Sequence, residues 1–424
     1  MTAVRIRPGP VSGAIAAPPS KSYTHRALVV GHLARRPFRV RRPLDSEDTR
    51  ATASAMGQLG TVVTRGPRIW MVRRPSGRVG PAPVRVNCRE SGTTLRFASA
   101  LAALSSRAVR LNGSARLGDR PIDELLRALE QLGASCRHLR PHGLPIEVRG
   151  PIHGGVLSLN ASRSSQFASA LLLALPTLEE DSQMELAGAL VSQPYIEATL
   201  AMLAHHGVCI ERHGRRFAIR GRQQFRGDGF TVPGDASSAA YLWAAAAVAG
   251  GKVRVTGIPN SWPQADLAVL RLLRSNGASV SRAPDGATVT AGPRRPFRVD
   301  LTQTPDLYPL AGILAATTPG VSQVVGAAHV VLKESDRKSE TAYLARRIGA
   351  RVGVTDRGLV ITGTSRPRAL DLRRLADHRL VMSAAVAALA ANAPSNIGAR
   401  DAVRKSYPEF WDVFARLSGD YNGP

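Results

Sequence analysis

The sequence is poor in the residues that build disulfide frameworks, zinc sites and aromatic binding surfaces. Its 424 residues include three cysteines with no Cys-x-x-Cys spacing, which argues against a disulfide framework or a zinc site and indicates a reducing compartment. Aromatic residues make up 5% of the chain and are not interleaved along a basic stretch, as single-strand nucleic-acid binding requires. No run of about 18 apolar residues occurs, and the amino-terminal segment lacks an apolar signal region. We therefore expect a soluble, cytoplasmic protein.

Acidic residues are also scarce relative to basic ones. The chain has 57 Lys and Arg against 31 Asp and Glu, which gives a net charge of +26. Such an excess suits nucleic acid, an anionic membrane surface or small anionic substrates as the partner. Much of it is scattered arginine, as at Arg35, Arg36 and Arg39, and scattered charge is typical of a solvated surface. Salt-dependent retention on DNA would distinguish a nucleic-acid-binding protein from one that binds small anions.

Six segments of the chain follow one plan: a polar entry, an alanine- and leucine-rich helix, and a β-like run that ends near glycine or proline. Their landmark positions recur every 70 to 72 residues, at Arg26, Arg96, Gln166, Ser238, Tyr308 and Arg379. A second predicted helix ends at a glycine, which accepts the left-handed conformation just past a helix. These glycines are Gly60, Gly133, Gly207, Gly277 and Gly349. Each unit therefore predicts the order β-α-β-α-β-β.

This repeat predicts an α/β fold with three units in each of two domains, a number that suits 424 residues. Stretches rich in Gly and Pro near 14–20 and 228–236 predict two crossings between the domains. The expected domains are residues 18–231 and residues 1–17 plus 232–424, so that the first strand belongs with the C-terminal half.

Positive charge at predicted helix starts is the main functional signal. In PPSKSYTHRAL, residues 18–28, Lys21 and Arg26 lie near a helix N-terminus, where the helix dipole favours an anion. Serines at other helix starts, such as Ser164 and Ser165, have an alternative explanation as ordinary N-caps. The KESDR run, residues 333–337, has an alternative explanation as a solvated charged helix start. The set as a whole favours a site for anionic substrates.

These motifs occur in an order that resembles one known family. The motifs are PPSKSYTHRAL, LDSEDTR, ESGTTLR, GDRPIDELLRALEQLGA, SSQFASALLLA, VSQPYIEATLAML, VPGDASSAAY, TPDLYPLAG, LKESDRKSE, DHRLVMSAAV and KSYPEFW. Together they resemble the 5-enolpyruvylshikimate-3-phosphate (EPSP) synthase family from residue 18 to residue 411. The resemblance implies two domains, each an inside-out α/β barrel of three repeat units, that close on substrate. It also implies a monomer with no metal or organic cofactor.

The implied reaction transfers the enolpyruvyl group of phosphoenolpyruvate to the 5-hydroxyl of shikimate 3-phosphate, on the pathway to chorismate and the aromatic amino acids. By resemblance, Asp306 would be the base toward the 5-hydroxyl, Glu334 the acid toward the methylene carbon, and Lys21 a further catalytic group. The implied ligands of shikimate 3-phosphate are Lys21, Ser22, Arg26, Ser164, Ser165, Gln166, Ser192, Tyr195, Asp306 and Lys333. The implied ligands of phosphoenolpyruvate are Lys21, Gly92, Arg120, Gln166, Arg337, Arg379 and Lys405.

The nearest alternative is the UDP-N-acetylglucosamine enolpyruvyl transferase, which is similar in fold and chemistry. That family usually places a reactive cysteine before an Arg-Pro pair, whereas here NGSARLGDRP, residues 112–121, has none. The sequence also departs from many members of the shikimate-type family at Glu90, His329 and Gln193, where Asn, Asn and Lys are common. These departures bear on substrate affinity rather than on the class of reaction.

Overall fold

Short strands and helices alternate along the chain in the computed structural model, which describes residues 3–74, 83–373 and 375–419. The strands are β1 (Val4–Ile6), β2 (Val11–Ala16), β3 (Phe38–Arg41), β4 (Val62–Arg65), β5 (Ile69–Arg73), β6 (Val84–Asn87), β7 (Val109–Asn112), β8 (Ser135–His138), β9 (Ile146–Arg149), β10 (Val156–Asn160), β11 (Ser182–Ala187), β12 (Ile210–His213), β13 (Arg216–Ile219), β14 (Gly229–Thr231), β15 (Gly251–Thr256), β16 (Ser279–Ala283), β17 (Gly286–Thr290), β18 (Arg298–Asp300), β19 (Gly320–Val325), β20 (Arg351–Thr355), β21 (Gly358–Gly363), β22 (Asp371–Leu372) and β23 (Ser395–Ile397). The α-helices are α1 (Lys21–Leu33), α2 (Glu47–Gln58), α3 (Gly92–Ala102), α4 (Ala115–Gly118), α5 (Asp123–Glu130), α6 (Ser165–Ala174), α7 (Pro194–His205), α8 (Ala236–Ala249), α9 (Ala268–Ser275), α10 (Tyr308–Ala316), α11 (Arg337–Ile348), α12 (His378–Ala388) and α13 (Phe410–Ser418). The α/β class predicted from the repeat is therefore confirmed.

The contacts divide the chain into two compact units. One unit is Pro19–Pro233, and the other joins the residues up to Pro18 to those from Gly234 onward. The glycines predicted to follow the second helix of five repeats all have positive φ angles, between 74° and 107°: Gly60, Gly133, Gly207, Gly277 and Gly349. Because only glycine adopts this conformation without strain, the repeat spacing is encoded in part by these helix ends.

The unit Pro19–Pro233 contains three four-stranded sheets built on one pattern among its described residues. Their strand orders are β14-β3-β5-β4, β6-β7-β9-β8 and β10-β11-β13-β12. In each sheet the first pair is parallel and the other two pairs are antiparallel. A parallel pair needs a long crossover, and a helix supplies it between β6 and β7 and between β10 and β11. The first sheet instead takes its parallel edge strand from β14, at the far end of the unit.

The other unit contains two four-stranded sheets and one three-stranded sheet among its described residues. The orders are β16-β17-β15-β2, β18-β19-β21-β20 and β1-β23-β22. Here β2 is the parallel edge strand beside β15, and β1 runs antiparallel to β23. The sixth repeat ends differently from the others, because α13 follows it with Phe410 and Phe414 buried and packs on β2. The first strands thus complete sheets of the C-terminal half.

The alanine-rich helices form the interior of each unit, with the sheets outside them. All eleven residues of α12 are buried, and so are twelve of the fourteen residues of α8. A helix that is apolar on every side is buried on every side, and small alanine side chains let such helices pack closely. In one unit α3 packs on α6; in the other α8, α10 and α12 pack on one another. Within each unit, this arrangement packs together helices that begin with polar residues.

Candidate active site

Three helices of the unit Pro19–Pro233 begin with serine caps and no acidic residue in the first turn. Ser20, Ser91 and Ser164 cap α1, α3 and α6, and each side chain accepts a hydrogen bond from a backbone N–H of the first turn at 3.2 to 3.4 Å. The helix dipole places partial positive charge at these ends, and an acidic residue would normally offset it. The three helix starts therefore favour an external anion.

Lys21 is held at the start of α1 by an acidic partner on the next helix. Its Nζ lies 2.9 Å from Oδ2 of Asp48, and the two side chains are 19% and 8% exposed. Because the ion pair fixes a long and flexible side chain, the Lys21 charge is positioned before any substrate binds.

Arg26 is a buried cation, 4% exposed, that hydrogen-bonds to α7 and to its own helix α1. Its Nε donates to Thr199 Oγ1 at 2.9 Å, and Nη2 donates to the carbonyl oxygen of Tyr195 at 2.7 Å. Nη1 donates to Ser22 Oγ at 2.6 Å. Burial lowers the pKa of Arg26 to about 10, which leaves it protonated at neutral pH. The structure thus brings together Ser22, Arg26 and Tyr195, three of the residues predicted to hold shikimate 3-phosphate.

Gly92 lies against two arginine side chains at the start of α3. A Cβ atom at this position would come within 2.6 Å of Arg96 Nη1 and 2.7 Å of Arg120 Cζ. Both arginines are buried, at 2% and 9% exposed. The side chain of Gln166, from α6, donates to Thr93 Oγ1 at 3.1 Å. Gly92, Arg120 and Gln166, three of the residues predicted to hold phosphoenolpyruvate, therefore lie at the adjoining starts of α3 and α6.

The remaining predicted residues of this unit lie at the start of α6 and just before α7. Ser164 is the cap of α6 and Ser165 is its first residue. Ser192 is buried, precedes α7 and has a positive φ of 55°. A non-glycine residue held at positive φ carries a conformational cost, which is a frequent property of binding loops.

In the other unit a single guanidinium holds three carboxylates. Arg337 is 1% exposed, and its Nη1 donates to Asp306 Oδ1 at 2.8 Å and its Nη2 to Glu334 Oε2 at 2.7 Å. Its Nε donates to Asp377 Oδ2 at 2.7 Å. The structure therefore places the predicted base and the predicted acid on two adjacent arms of one arginine.

A second arginine reaches the same candidate base. Arg379 is 5% exposed, and its Nη2 donates to Asp306 Oδ2 at 2.6 Å. Burial acts to raise the pKa of Asp306, but the positive charges of Arg379 and Arg337 outweigh burial and hold the pKa well below its usual value. Asp306 is therefore ionised at neutral pH.

Two lysines and a histidine singled out in the sequence also lie in this unit. Lys333 follows the short 3-10 helix Ala328–Leu332, and its charge also acts to lower the pKa of Asp306. Burial, followed by the charge of Lys333, lowers the pKa of His329 to about 4, so His329 is neutral at pH 7. Lys405 is 8% exposed at the end of the 3-10 helix Arg400–Lys405, which packs on α12, the helix that carries Arg379.

Several residues of the site were not among those predicted. Asp48 and Asp377 occur within motifs of the sequence, LDSEDTR and DHRLVMSAAV. No site residue was predicted from the first motif, and Arg379 was predicted from the second. Thr199 accepts from Arg26 and lies inside α7, within the motif VSQPYIEATLAML, but a threonine inside a helix has no unusual property that would indicate this role. Such partners are identified only when the helices that carry them are packed together.

The fold is that of solved EPSP synthases. Two structures of EPSP synthase from Acinetobacter baumannii superpose on this chain with TM-scores of 0.80, at 23% and 22% sequence identity, and each match covers 98% of both chains. At that level of identity the likeness defines the fold.

The family follows from the sequence comparisons. A family model for EPSP synthase (3-phosphoshikimate 1-carboxyvinyltransferase) matches residues 6–414. Relatives named 3-phosphoshikimate 1-carboxyvinyltransferase include those of Methanoculleus marisnigri, 39% identical over 96% of each chain, and Methanocorpusculum labreanum, 35% identical over 97% of each. That of Thermococcus kodakarensis is 39% identical over 96% of this chain and 98% of its own. The chain belongs to the EPSP synthase family, and these matches do not favour the UDP-N-acetylglucosamine alternative.

Within residues 3–74, 83–373 and 375–419, no group of three or more His, Cys, Asp and Glu is arranged to hold a metal ion. In the same described segments, no helix has both the length and the apolar character needed to span a membrane.

Proposed function

We propose that the protein transfers the enolpyruvyl group of phosphoenolpyruvate to the 5-hydroxyl of shikimate 3-phosphate and releases phosphate. The observation that carries this proposal is the placement of Asp306 and Glu334 on two arms of Arg337, at 2.8 and 2.7 Å. The reaction needs two groups that exchange protons with different atoms, and two carboxylates in different surroundings are suited to divide that work.

The reaction is proposed as an addition followed by an elimination. In the addition, Asp306 accepts the proton of the 5-hydroxyl, the oxygen bonds to C2 of phosphoenolpyruvate, and Glu334 gives a proton to the methylene carbon C3. In the elimination, Glu334 takes a proton back from C3, the C2–C3 double bond forms again, the C2–O bond to phosphate breaks, and Asp306 gives its proton to the leaving phosphate. Protons and electron pairs balance without any redox step.

The low pKa of Asp306 makes it a weak base before substrate binds. The two arginines that lower this pKa, Arg337 and Arg379, are also the proposed ligands of phosphoenolpyruvate. An anion bound to them would offset their charge, which would raise the pKa of Asp306 toward the range in which a base works well. In this proposal the substrate itself activates the base.

The cationic and hydroxyl side chains are proposed to hold the two anionic substrates. Shikimate 3-phosphate is assigned Lys21, Ser22, Arg26, Ser164, Ser165, Gln166, Ser192, Tyr195, Asp306 and Lys333, and phosphoenolpyruvate is assigned Lys21, Gly92, Arg120, Gln166, Arg337, Arg379 and Lys405. Arginine suits phosphate and carboxylate because its two N–H arms bind both oxygens at once. Fixed positive charge also offsets the repulsion between two anions that must react.

We further propose that the two compact units are two domains with boundaries near those expected from the sequence, 18–231 and 1–17 plus 232–424. A monomer in the cytoplasm is proposed on the same family resemblance. Small-angle scattering with and without shikimate 3-phosphate would test whether the protein becomes more compact on binding.

The test is phosphate release from phosphoenolpyruvate with shikimate 3-phosphate as the acceptor. We expect activity in the wild type and a loss of roughly 10² to 10⁴ in kcat for Asp306→Asn and for Glu334→Gln, which keep the size of the side chains. Asp300→Asn is the matched control, because Asp300 lies in the same unit, is exposed and contacts the backbone of Thr302. Activity with UDP-N-acetylglucosamine in place of shikimate 3-phosphate would overturn the proposal.

A further inference from the structure

Ser237, in the first turn of α8, is a hydrogen-bond partner of Arg379 that the predicted ligand sets do not include. Its Oγ accepts from Arg379 Nη1 at 2.6 Å, and Nη2 of the same guanidinium donates to Asp306 Oδ2 at 2.6 Å. Because the guanidinium is planar and its donors have fixed directions, two bonds at its two ends set both its position and its rotation. The candidate base supplies one of these bonds, and Ser237 supplies the other.

The start of α8, which carries Ser237, is tied to a neighbouring segment through its backbone. Gln264 Oε1 accepts from the N–H of Ala236 at 2.9 Å, and Gln264 Nε2 donates to the carbonyl oxygen of Gly234 at 2.8 Å. Gln264 precedes a 3-10 helix in which Asp266 is buried and which packs on α8. The Ser237 hydroxyl is therefore mounted on a fixed helix start, as a precise contact requires.

The two arginines that contact Asp306 are anchored by partners of different charge. Arg337 donates through Nε to Asp377 at 2.7 Å, in a buried ion pair, whereas Ser237 is an uncharged partner of Arg379. A carboxylate offsets the positive charge of the arginine that it binds. A hydroxyl holds the guanidinium by a hydrogen bond and leaves that charge available to an anionic substrate.

An uncharged anchor also keeps its strength while the candidate base changes charge. In the proposed reaction Asp306 takes the proton of the 5-hydroxyl, so its bond to Arg379 is no longer a bond between two ions at that step. The bond from Arg379 to Ser237 involves no group that gains or loses a proton. Arg379 therefore has one partner whose hold on it is the same before and after the proton moves.

We propose that Ser237 is a positioning residue for the enolpyruvyl transfer, which holds the Arg379 guanidinium in place as an uncharged anchor. The inference rests on the proposed function, in which Arg379 binds phosphoenolpyruvate. Without the hydroxyl, Arg379 can turn both of its arms to Asp306, because a bidentate pair of arginine and carboxylate is a strong arrangement. An arginine engaged in this way is withdrawn from phosphoenolpyruvate.

The first test measures kcat and the KM of each substrate in Ser237→Ala. We expect the KM for phosphoenolpyruvate to rise about tenfold, which is the effect of losing one hydrogen bond to a charged group. The KM for shikimate 3-phosphate and kcat should stay close to the wild-type values, since bound phosphoenolpyruvate itself holds Arg379 at saturation. A general structural defect would instead raise both KM values.

Two more variants at this position separate an uncharged anchor from other roles. Ser237→Thr keeps the hydroxyl and should have a KM for phosphoenolpyruvate close to that of the wild type. Ser237→Asp also supplies an acceptor but offsets the charge of Arg379, so its KM should be at least as high as that of Ser237→Ala. Ser275→Ala is the matched control, because Ser275 lies in the same unit, is exposed and donates to the carbonyl oxygen of Arg271 at 3.1 Å. It should leave kcat and both KM values unchanged.

The second test observes the arginine directly and does not depend on which reaction the protein catalyses. Crystal structures of the wild type and of Ser237→Ala, both without substrate, compare the position of the Arg379 guanidinium. We expect it to rotate in the variant and to pair with Asp306 through both terminal nitrogens.

The outcomes are distinct. If Ser237→Ala has the wild-type KM for phosphoenolpyruvate, or leaves Arg379 in its wild-type position, the inference is overturned and the proposed function stands. An equal rise in both KM values, a wild-type KM in Ser237→Asp, or a KM in Ser237→Thr as high as that of Ser237→Ala would also overturn it. A wild type that releases no phosphate from phosphoenolpyruvate and shikimate 3-phosphate would overturn the proposed function, and the inference with it.

Discussion

Arg337 and Asp377 form a fully buried ion pair, in which Arg337 Nε donates to Asp377 Oδ2 at 2.7 Å. The two side chains are 1% and 0% exposed, so neither charge is solvated by bulk water. Burial acts to raise the pKa of Asp377, and the charge of Arg337 outweighs it and lowers that pKa. The pair keeps Arg337 oriented, and with it the two carboxylates on its other arms.

Replacing Asp377 should therefore destabilise the protein strongly. Asp377→Ala leaves a buried guanidinium without one of its partners, and such a loss typically costs about 3 to 5 kcal/mol of the free energy of unfolding. Urea unfolding of the wild type and the variant measures the change in the free energy of unfolding. Asp371→Ala is the control, because Asp371 is 58% exposed and lies 3.9 Å from Arg373, so it should change stability by less than about 0.5 kcal/mol. Equal effects of the two variants would contradict this prediction.

Gly92→Ala should weaken the binding of phosphoenolpyruvate. The added Cβ would come within 2.6 to 2.8 Å of the guanidinium atoms of Arg96 and Arg120, which must move. We expect the KM for phosphoenolpyruvate to rise about tenfold or more, since a displacement of about 1 Å in a positioning group can cost up to 10²-fold. In Gly57→Ala, by contrast, the new Cβ meets nothing within 4 Å. That control, inside α2, should keep the wild-type KM, and an unchanged KM in both variants would refute the steric argument.

Thr199→Val should loosen Arg26. The variant keeps the shape of the side chain but removes the oxygen that accepts from Arg26 Nε at 2.9 Å, in a buried site. Loss of a hydrogen bond to a charged group typically costs about 1.5 to 3 kcal/mol. We expect this cost to appear as weaker binding of shikimate 3-phosphate, measured by calorimetry, or as a lower free energy of unfolding. Thr231→Val, on the exposed face of β14, is the matched control and should change neither quantity.

Asp266→Asn should stabilise the protein at neutral pH. The folded-state pKa of about 6 lies above the ordinary value of 3.8, so ionising the buried carboxylate costs free energy as the pH rises through this window. The difference of about two pKa units corresponds to roughly 3 kcal/mol at pH 7 and to almost nothing near about pH 3, where folded and unfolded forms are both largely protonated. Urea unfolding at the two pH values tests the sign. A variant less stable than the wild type at pH 7 would contradict the assignment.

Much of the fold was predictable because the repeat is marked by residues with strict conformational roles. The five glycines after the second helices all take positive φ, and the polar residues before the alanine-rich helices all lie at helix starts. The sixth repeat was less predictable: the sequence assigned the first strand to the C-terminal half but did not indicate that β1 would complete the three-stranded sheet of this repeat. Periodicity along the sequence carries no information about which distant strand completes a sheet.

The site was predictable where residue types are unusual for their position. Lys21 and Arg26 place positive charge near a helix N-terminus, which is the positive end of the helix dipole. Because this placement is unfavourable without a bound anion, it identifies the two residues as functional candidates. Thr199 carries no such mark, because threonine is an ordinary residue in helices and its role comes from the arginine packed against it. Asp266 is similar: its burial depends on Gln264 and α8, which its own sequence neighbourhood does not reveal.

The pairing of β2 with β15 also constrains how the polypeptide is made. β2 ends at Ala16, and its parallel neighbour begins at Gly251, more than 230 residues later. At about 5 to 20 residues per second, a ribosome needs roughly 10 to 50 s to reach that strand. The segment Pro19–Pro233, which includes β14 and all three of its sheets, emerges complete in the meantime. On a translating ribosome the chain therefore has a natural order of assembly, in which its earliest strands are among the last to find their partners.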